Sequence, residues 1–168
     1  QNYPEALAAG MQVNIGIDTH SNDYLENLKL AVLYGQARYI LQKQIGEQSV
    51  SYPTIWTAMR NATQIPAAAL GRNDIGRICE GAKADLVSID VSGFFVGSGA
   101  LPPEPLNNLL YANGMMVRHT MTDGRLQIYD GHLVADDETR VIAEGGQVMA
   151  GILNQMRSEG WFTPLPRE

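Results

Sequence analysis

The chain holds one stretch built like a central strand of a parallel sheet. Residues 11–17, Met-Gln-Val-Asn-Ile-Gly-Ile, are mostly apolar and close on Asp18. Parallel strands are covered on both faces, and one strand with its following helix cannot supply that cover. The first part of the chain therefore reads as a piece of a larger sheet, not as a self-contained doubly wound fold. The terminal carboxylate is the second constraint. A strand end holds its side chain firmly while the next loop opens to ligand, which is where barrel enzymes keep their chemistry. Asp18, followed by the polar run Thr19-His20-Ser21-Asn22, is the first candidate site residue. A helix cap or a turn is its plain alternative.

The flanking pattern is helical, then antiparallel. Residues 3–10 read as a short helix, with Pro4 in the first turn and Gly10 as its stop. Asp23 and Glu26 form an Asp-x-x-Glu capping signal ahead of Leu25, Leu28 and Val32 at helical spacing. That helix is expected to run to about Lys43 and end at Gly46. Residues 51–62 form a second helix, with Ile55 and Met59 on one face, and residues 66–70 a short turn of helix before Gly71. From Asn73 the character changes. Residues 85–91 alternate and are β-branched, hence a strand; residues 92–105 are a Gly- and Pro-rich loop; residues 106–112 are a short helix. Asp123-Gly124 and Asp130-Gly131 punctuate the runs 116–121, 126–129 and 132–134, a strong hairpin signal. Residues 138–157 close as an amphipathic helix with Val141, Val148, Ile152 and Met156 apolar. Three segments follow: 1–72, 73–135 and 136–168.

Composition narrows the function classes. Across 168 residues the net charge is −6, with only 12 Lys and Arg, and these are scattered. Nucleic-acid binding wants a basic face, so a small-molecule substrate is the better expectation. No apolar run approaches the roughly 18 to 20 residues of a membrane span. Gln1 onward does not resemble a signal peptide, and the lone Cys79 forms no intrachain disulfide, so a cytoplasmic setting is expected. Cys79 has no basic neighbour and precedes Glu80, which argues against a nucleophilic thiol.

Several motifs, in order along the chain, resemble the amidohydrolase superfamily. Gly16-Ile17-Asp18, with Ser21-Asn22 and Glu26, is similar to the end of its eighth barrel strand. Ala62-Thr63 through Ala69-Leu70-Gly71 resembles the helix that follows. Ile75-Gly76-Arg77-Ile78, Glu80-Gly81-Ala82-Lys83-Ala84-Asp85-Leu86-Val87 and Asp90 resemble its Gly-Lys-x-Ala-Asp-Leu-Val segment. Residues 117–133, with both Asp-Gly turns, are similar to its closing β-hairpin. The subgroup most resembled contains cytosine deaminase, chlorohydrolases and related heterocycle aminohydrolases. Ile17 stands where Thr is usual, and Thr19-His20 replaces a Gly-containing turn.

The resemblance implies an α/β fold: the last strand and helices of a (β/α)8 metal-dependent hydrolase barrel, followed by the C-terminal strands of a small β-sandwich. A complete barrel takes about 250 residues, so the barrel here is incomplete. It also implies a divalent metal, Zn or Fe, that lowers the pKa of a bound water towards about 7. Asp18 would be metal ligand and general base, passing the proton to the leaving group. His20, Ser21 and Asn22 are candidate substrate contacts, although Ser21 and Asn22 are equally good capping residues. The family's metal site draws on a His-x-His and further His residues, whereas this chain has three His in all and no His-x-His. His119 and His132 fall in the hairpins, remote from the site. The expectation is a C-terminal segment of a hydrolase acting on a nitrogen heterocycle, inactive alone. The rival is a non-catalytic module that assembles with a complementary chain. Either way an exposed orphan strand invites association, so a homo-oligomer or a complementing chain is expected. Trp56, Tyr34 and Tyr39 are expected as packing aromatics.

Overall fold

The structure is a computed structural model that describes residues 2–18, 21–94, 96 and 105–161. Among the described residues five α-helices and four strands follow in order: α1 (Tyr3–Ala8), α2 (Tyr24–Gln44), α3 (Ile55–Ala62), α4 (Gln64–Ala69), β1 (Leu86–Ile89), β2 (Val117–Thr122), β3 (Arg125–Tyr129), β4 (His132–Leu133) and α5 (Glu138–Ser158). Two 3-10 helices, Pro105–Leu110 and Gly114–Met116, precede β2.

The helices start where side chains can receive orphan N–H groups. Asp23 accepts from the amides of Leu25 and Glu26 at the head of α2, Thr54 from Thr57 at α3, and Asp137 from Arg140 at α5. The second helix begins at Ile55 rather than near Ser51, because Thr54 is the residue placed to cap it. Helix α2 is the axis of the helical part. Its inner face buries Leu25, Leu28 and Val32 against Ile55 and Ala58 of α3 and against Val96, Leu109 and Ala112. Gly35 lets Pro53 and Tyr3 close on the helix; a Cβ there would stand 2.7 Å from Pro53 Cγ. Arg38 of α2 pairs with Glu5 of α1 across 2.6 Å.

The sheet is an antiparallel meander in the order β1-β2-β3-β4. Register runs from Leu86↔Met121 to Ser88↔His119 between β1 and β2, and from Thr120↔Ile128 to Thr122↔Arg125 between β2 and β3. Asp123 and Asp130 have φ of 48° and are each followed by a positive-φ glycine, the left-handed pairs that tight two-residue hairpins require. Ile89, Val91, Met116 and Val117 carry the base of the sheet onto the helical core.

Two expectations are corrected. Residues 11–17 form no strand. Their burial still alternates, with Val13, Ile15 and Ile17 half-buried and Gln12, Asn14 and Gly16 exposed, as in an extended chain. A ladder needs a neighbouring strand, and the described residues place none beside this segment. Nor do all the aromatics pack: Trp56 and Tyr34 are exposed, while Tyr39 meets Tyr52 edge to face at 5.2 Å. Helical spacing put these residues on a face but could not say whether anything covers it. The loop expected over 92–105 lies largely outside the described residues.

Candidate active site

Segment 11–18 is held by helices in place of a sheet. The Ile15 amide donates to the backbone carbonyl of Asn61 at 3.1 Å. The Tyr24 hydroxyl donates to the Ile15 carbonyl at 2.8 Å. Asn61 is itself buried, and its side-chain amide donates to the Tyr3 hydroxyl at 2.8 Å. Burial pushes the Tyr3 and Tyr24 hydroxyls above the usual tyrosine range, so both stay protonated at neutral pH.

Three residues beyond this anchor stands Asp18, with φ of 52°. The other described non-glycine residues at positive φ, Asp123 and Asp130, sit in Asp-Gly hairpin turns whose geometry calls for that conformation. Asp18 also stands in a turn, but one followed in the sequence by threonine and not by glycine. An aspartate tolerates the left-handed region better than most residues, yet the conformation still costs energy. The Asp18 side chain is exposed and makes no hydrogen bond or ion pair with any described residue. It stands in the wall of a groove of about 1030 Å³. Val13, Ile15 and Ile17 form one side of that groove and Leu30, Tyr34 and Leu41 of α2 the other.

The remaining candidates separate. The Ser21 hydroxyl accepts the Asp23 amide at 3.0 Å, a local turn, and Ser21 is not part of the groove wall. Asn22 is exposed and likewise outside the groove. His20 lies outside the described residues. Asp23 does more than cap: its second carboxylate oxygen accepts the Gly114 amide at 2.7 Å, tying the head of α2 to the turn before β2. His119 bonds Ser88 Oγ across 2.9 Å and stacks edge-on against Tyr129, while His132 is exposed near Glu138. Both belong to the sheet and its rim. Cys79 is exposed beside a hollow of about 190 Å³ whose walls hold no carboxylate or imidazole.

Among the described residues no three His, Cys, Asp or Glu side chains gather as a metal ion needs. One unpartnered carboxylate is not the donor set of a hydrolytic metal site, which takes several protein ligands and an open position. The described residues therefore do not fit a metal by themselves. Tyr24 and Asn61 carried no sequence signal. A tyrosine at a helix start is ordinary, and its reach back to residue 15 is a tertiary fact.

The chain's likeness to known proteins agrees with the motif reading. The amidohydrolase family profile matches residues 1–127. A 5'-deoxyadenosine deaminase of Methanopyrus kandleri is 32% identical over 146 residues, which is 83% of this chain and 31% of that protein. A 5-methylthioadenosine/S-adenosylhomocysteine deaminase of Bacillus cereus is 29% identical over 158 residues, 90% of this chain and 34% of that one. The chain thus spans about a third of the length of the curated relatives it matches. Two solved structures share the fold. A mutant atrazine chlorohydrolase of Arthrobacter aurescens TC1, complexed with zinc and atraton, superposes with a TM-score of 0.67 at 23% identity, over 85% of this chain and 31% of its own. An adenosine deaminase of Xanthomonas campestris with bound zinc gives 0.66 at 24% identity, over 88% of this chain and 33% of its own.

Proposed function

Because this chain belongs to the amidohydrolase family, we propose that it supplies the last strand segment and one carboxylate, Asp18, of a hydrolytic site whose other ligands come from residues outside these 168. The observation that carries the reading is the setting of Asp18: at positive φ, exposed, without a hydrogen bond or ion pair to a described residue, and in the wall of a large groove. Strain of this kind clusters at functional sites. Segment 11–17 is read as the final barrel strand awaiting its neighbours, and β1–β4 as part of a β-sandwich. The divalent ion, Zn or Fe, would take Asp18 as one ligand among several.

The substrate class proposed is an amino-substituted nitrogen heterocycle, and the names of the curated relatives favour a purine nucleoside. Water adds to the ring carbon bearing the amino group, and the Asp18 carboxylate accepts a proton from that water. That proton passes to the departing nitrogen, the C–N bond breaks and ammonia leaves, while the remaining hydroxyl proton ends on the adjacent ring nitrogen and the ring carbon becomes a carbonyl. A carboxylate suits this transfer because it is anionic at rest and can be protonated transiently. Hydrolytic dechlorination of a chloro-substituted nitrogen heterocycle is the second reaction that the family resemblance brings into the proposal.

Asp18→Asn tests the reading in the longer protein that carries the remaining ligands. Asparagine keeps the shape and tolerates the left-handed backbone, so folding is preserved while the base is removed. A loss of about 10² to 10⁴ in kcat is expected. Full activity in that variant removes Asp18 from the mechanism and favours the non-catalytic assembly module.

A further inference from the structure

We propose that Tyr24 is a positioning residue whose hydroxyl closes the base of the 15–24 loop and thereby sets where the Asp18 carboxylate stands. The inference rests on the reading of Asp18 as an active-site residue. It goes beyond that reading by assigning a role to a side chain that neither lines the groove nor reaches the reacting atoms.

Every candidate that the sequence singles out, Asp18, His20, Ser21 and Asn22, falls in the sequence between Ile15 and Tyr24. The 2.8 Å bond from the Tyr24 hydroxyl to the Ile15 carbonyl joins the two ends of that loop. Both ends are fixed elsewhere, because Ile15 and Tyr24 each pack against the buried core cluster. The amide of the same Ile15 is taken by the Asn61 carbonyl at 3.1 Å. Both backbone polar groups of Ile15 are therefore held, one from α2 and one from α3. Tyr24 is also the first residue of α2, directly after the Asp23 cap, so the hydroxyl is delivered by a rigid element. Inside the loop the Ser21 turn takes up the Asp23 amide, which shortens the free chain further. Between the clamp at Ile15 and this turn, Asp18 sits at positive φ with no bond of its own to a described residue. Its position is inherited from the loop ends. Loops that carry chemistry need such support, since a displacement of about 1 Å can cost a large factor in rate.

The test compares Tyr24→Phe, Asp18→Asn and the double variant in the longer protein that carries the remaining ligands. Tyr24→Phe keeps the ring that packs on the core and removes only the hydroxyl. Amide hydrogen exchange of peptides covering residues 15–24 should quicken about fivefold, the factor one net hydrogen bond is worth, while α3 and the sheet stay unchanged. Turnover should fall roughly tenfold in kcat with KM nearly constant. Adding Tyr24→Phe to Asp18→Asn should cost nothing more, because a misplaced base and an absent base fail alike. Unchanged exchange over residues 15–24, unchanged kcat, or an additive loss in the double variant overturns the proposal. Full activity in Asp18→Asn alone overturns the active-site reading, a failure seen separately from that of the clamp.

Discussion

Helices α2 and α5 are both 21 residues long, and their ends carry the same chemistry. Each starts on an aspartate whose side chain accepts helix N–H groups, has a glutamate in its first turn, and ends with a cation in its last. Their surroundings differ completely. Helix α2 buries Leu25, Leu28, Val32 and Gly35. Helix α5 buries no residue; Val141, Val148 and Ile152 face outward, and Arg140 pairs with Asp136 and Glu144 along its surface. Capping and amphipathic spacing make both segments helical, but only tertiary cover turns an apolar stripe into stability.

The largest expected effect separates the two stripes directly. Leu28, 3% exposed, should cost about 2 to 5 kcal/mol when changed to alanine. Ile152, 48% exposed, should cost within about 0.5 kcal/mol for the same truncation. Denaturant unfolding of the two variants measures the difference; equal losses would mean that α5 is covered in solution. The caps give a smaller contrast. Asp23→Ala removes an acceptor from Leu25, Glu26 and Gly114, and about 2 kcal/mol is expected. Asp137→Ala loses only the Arg140 bond, for which about 0.5 to 1 kcal/mol is expected. Thermal melts that rank the two variants in the opposite order would refute the staple role of Asp23.

The smallest effect concerns pH and lies outside α2. The Ser92 hydroxyl and amide, then Arg118, hold Asp90 down at about 2, and Arg72 does the same for Asp74. A folded pKa below the unfolded one adds stability that is complete above about pH 4 and is lost as pH falls towards 2. Both carboxylates are half-exposed and screened by solvent, so the change is slight. Ser92→Ala should flatten the Asp90 contribution in acid titrations followed by circular dichroism, and an unaltered slope would contradict that assignment.

What was legible from sequence was local. Asp23 announced its helix, and the two Asp-Gly pairs announced their hairpins, because a cap or a left-handed turn is decided within a few residues. The family motifs located Asp18. What escaped depends on distant neighbours. Residues 11–17 have the alternation of a strand, but a ladder belongs to a pair of strands and not to a sequence. Trp56 and Tyr34 sit at helical spacing, yet nothing in the described chain covers them. The Tyr24 clamp arises only once α2 and α3 are packed. Asp18 as a candidate was therefore readable, whereas the contacts around it were not.

The central claim is that this chain carries one corner of a hydrolytic site and not the site itself. Zinc titration of the purified 168-residue chain by calorimetry, paired with an ammonia-release assay on a purine nucleoside, tests it most directly. The account predicts no tight stoichiometric binding and no turnover. One tightly bound ion together with unaided release of ammonia would contradict it.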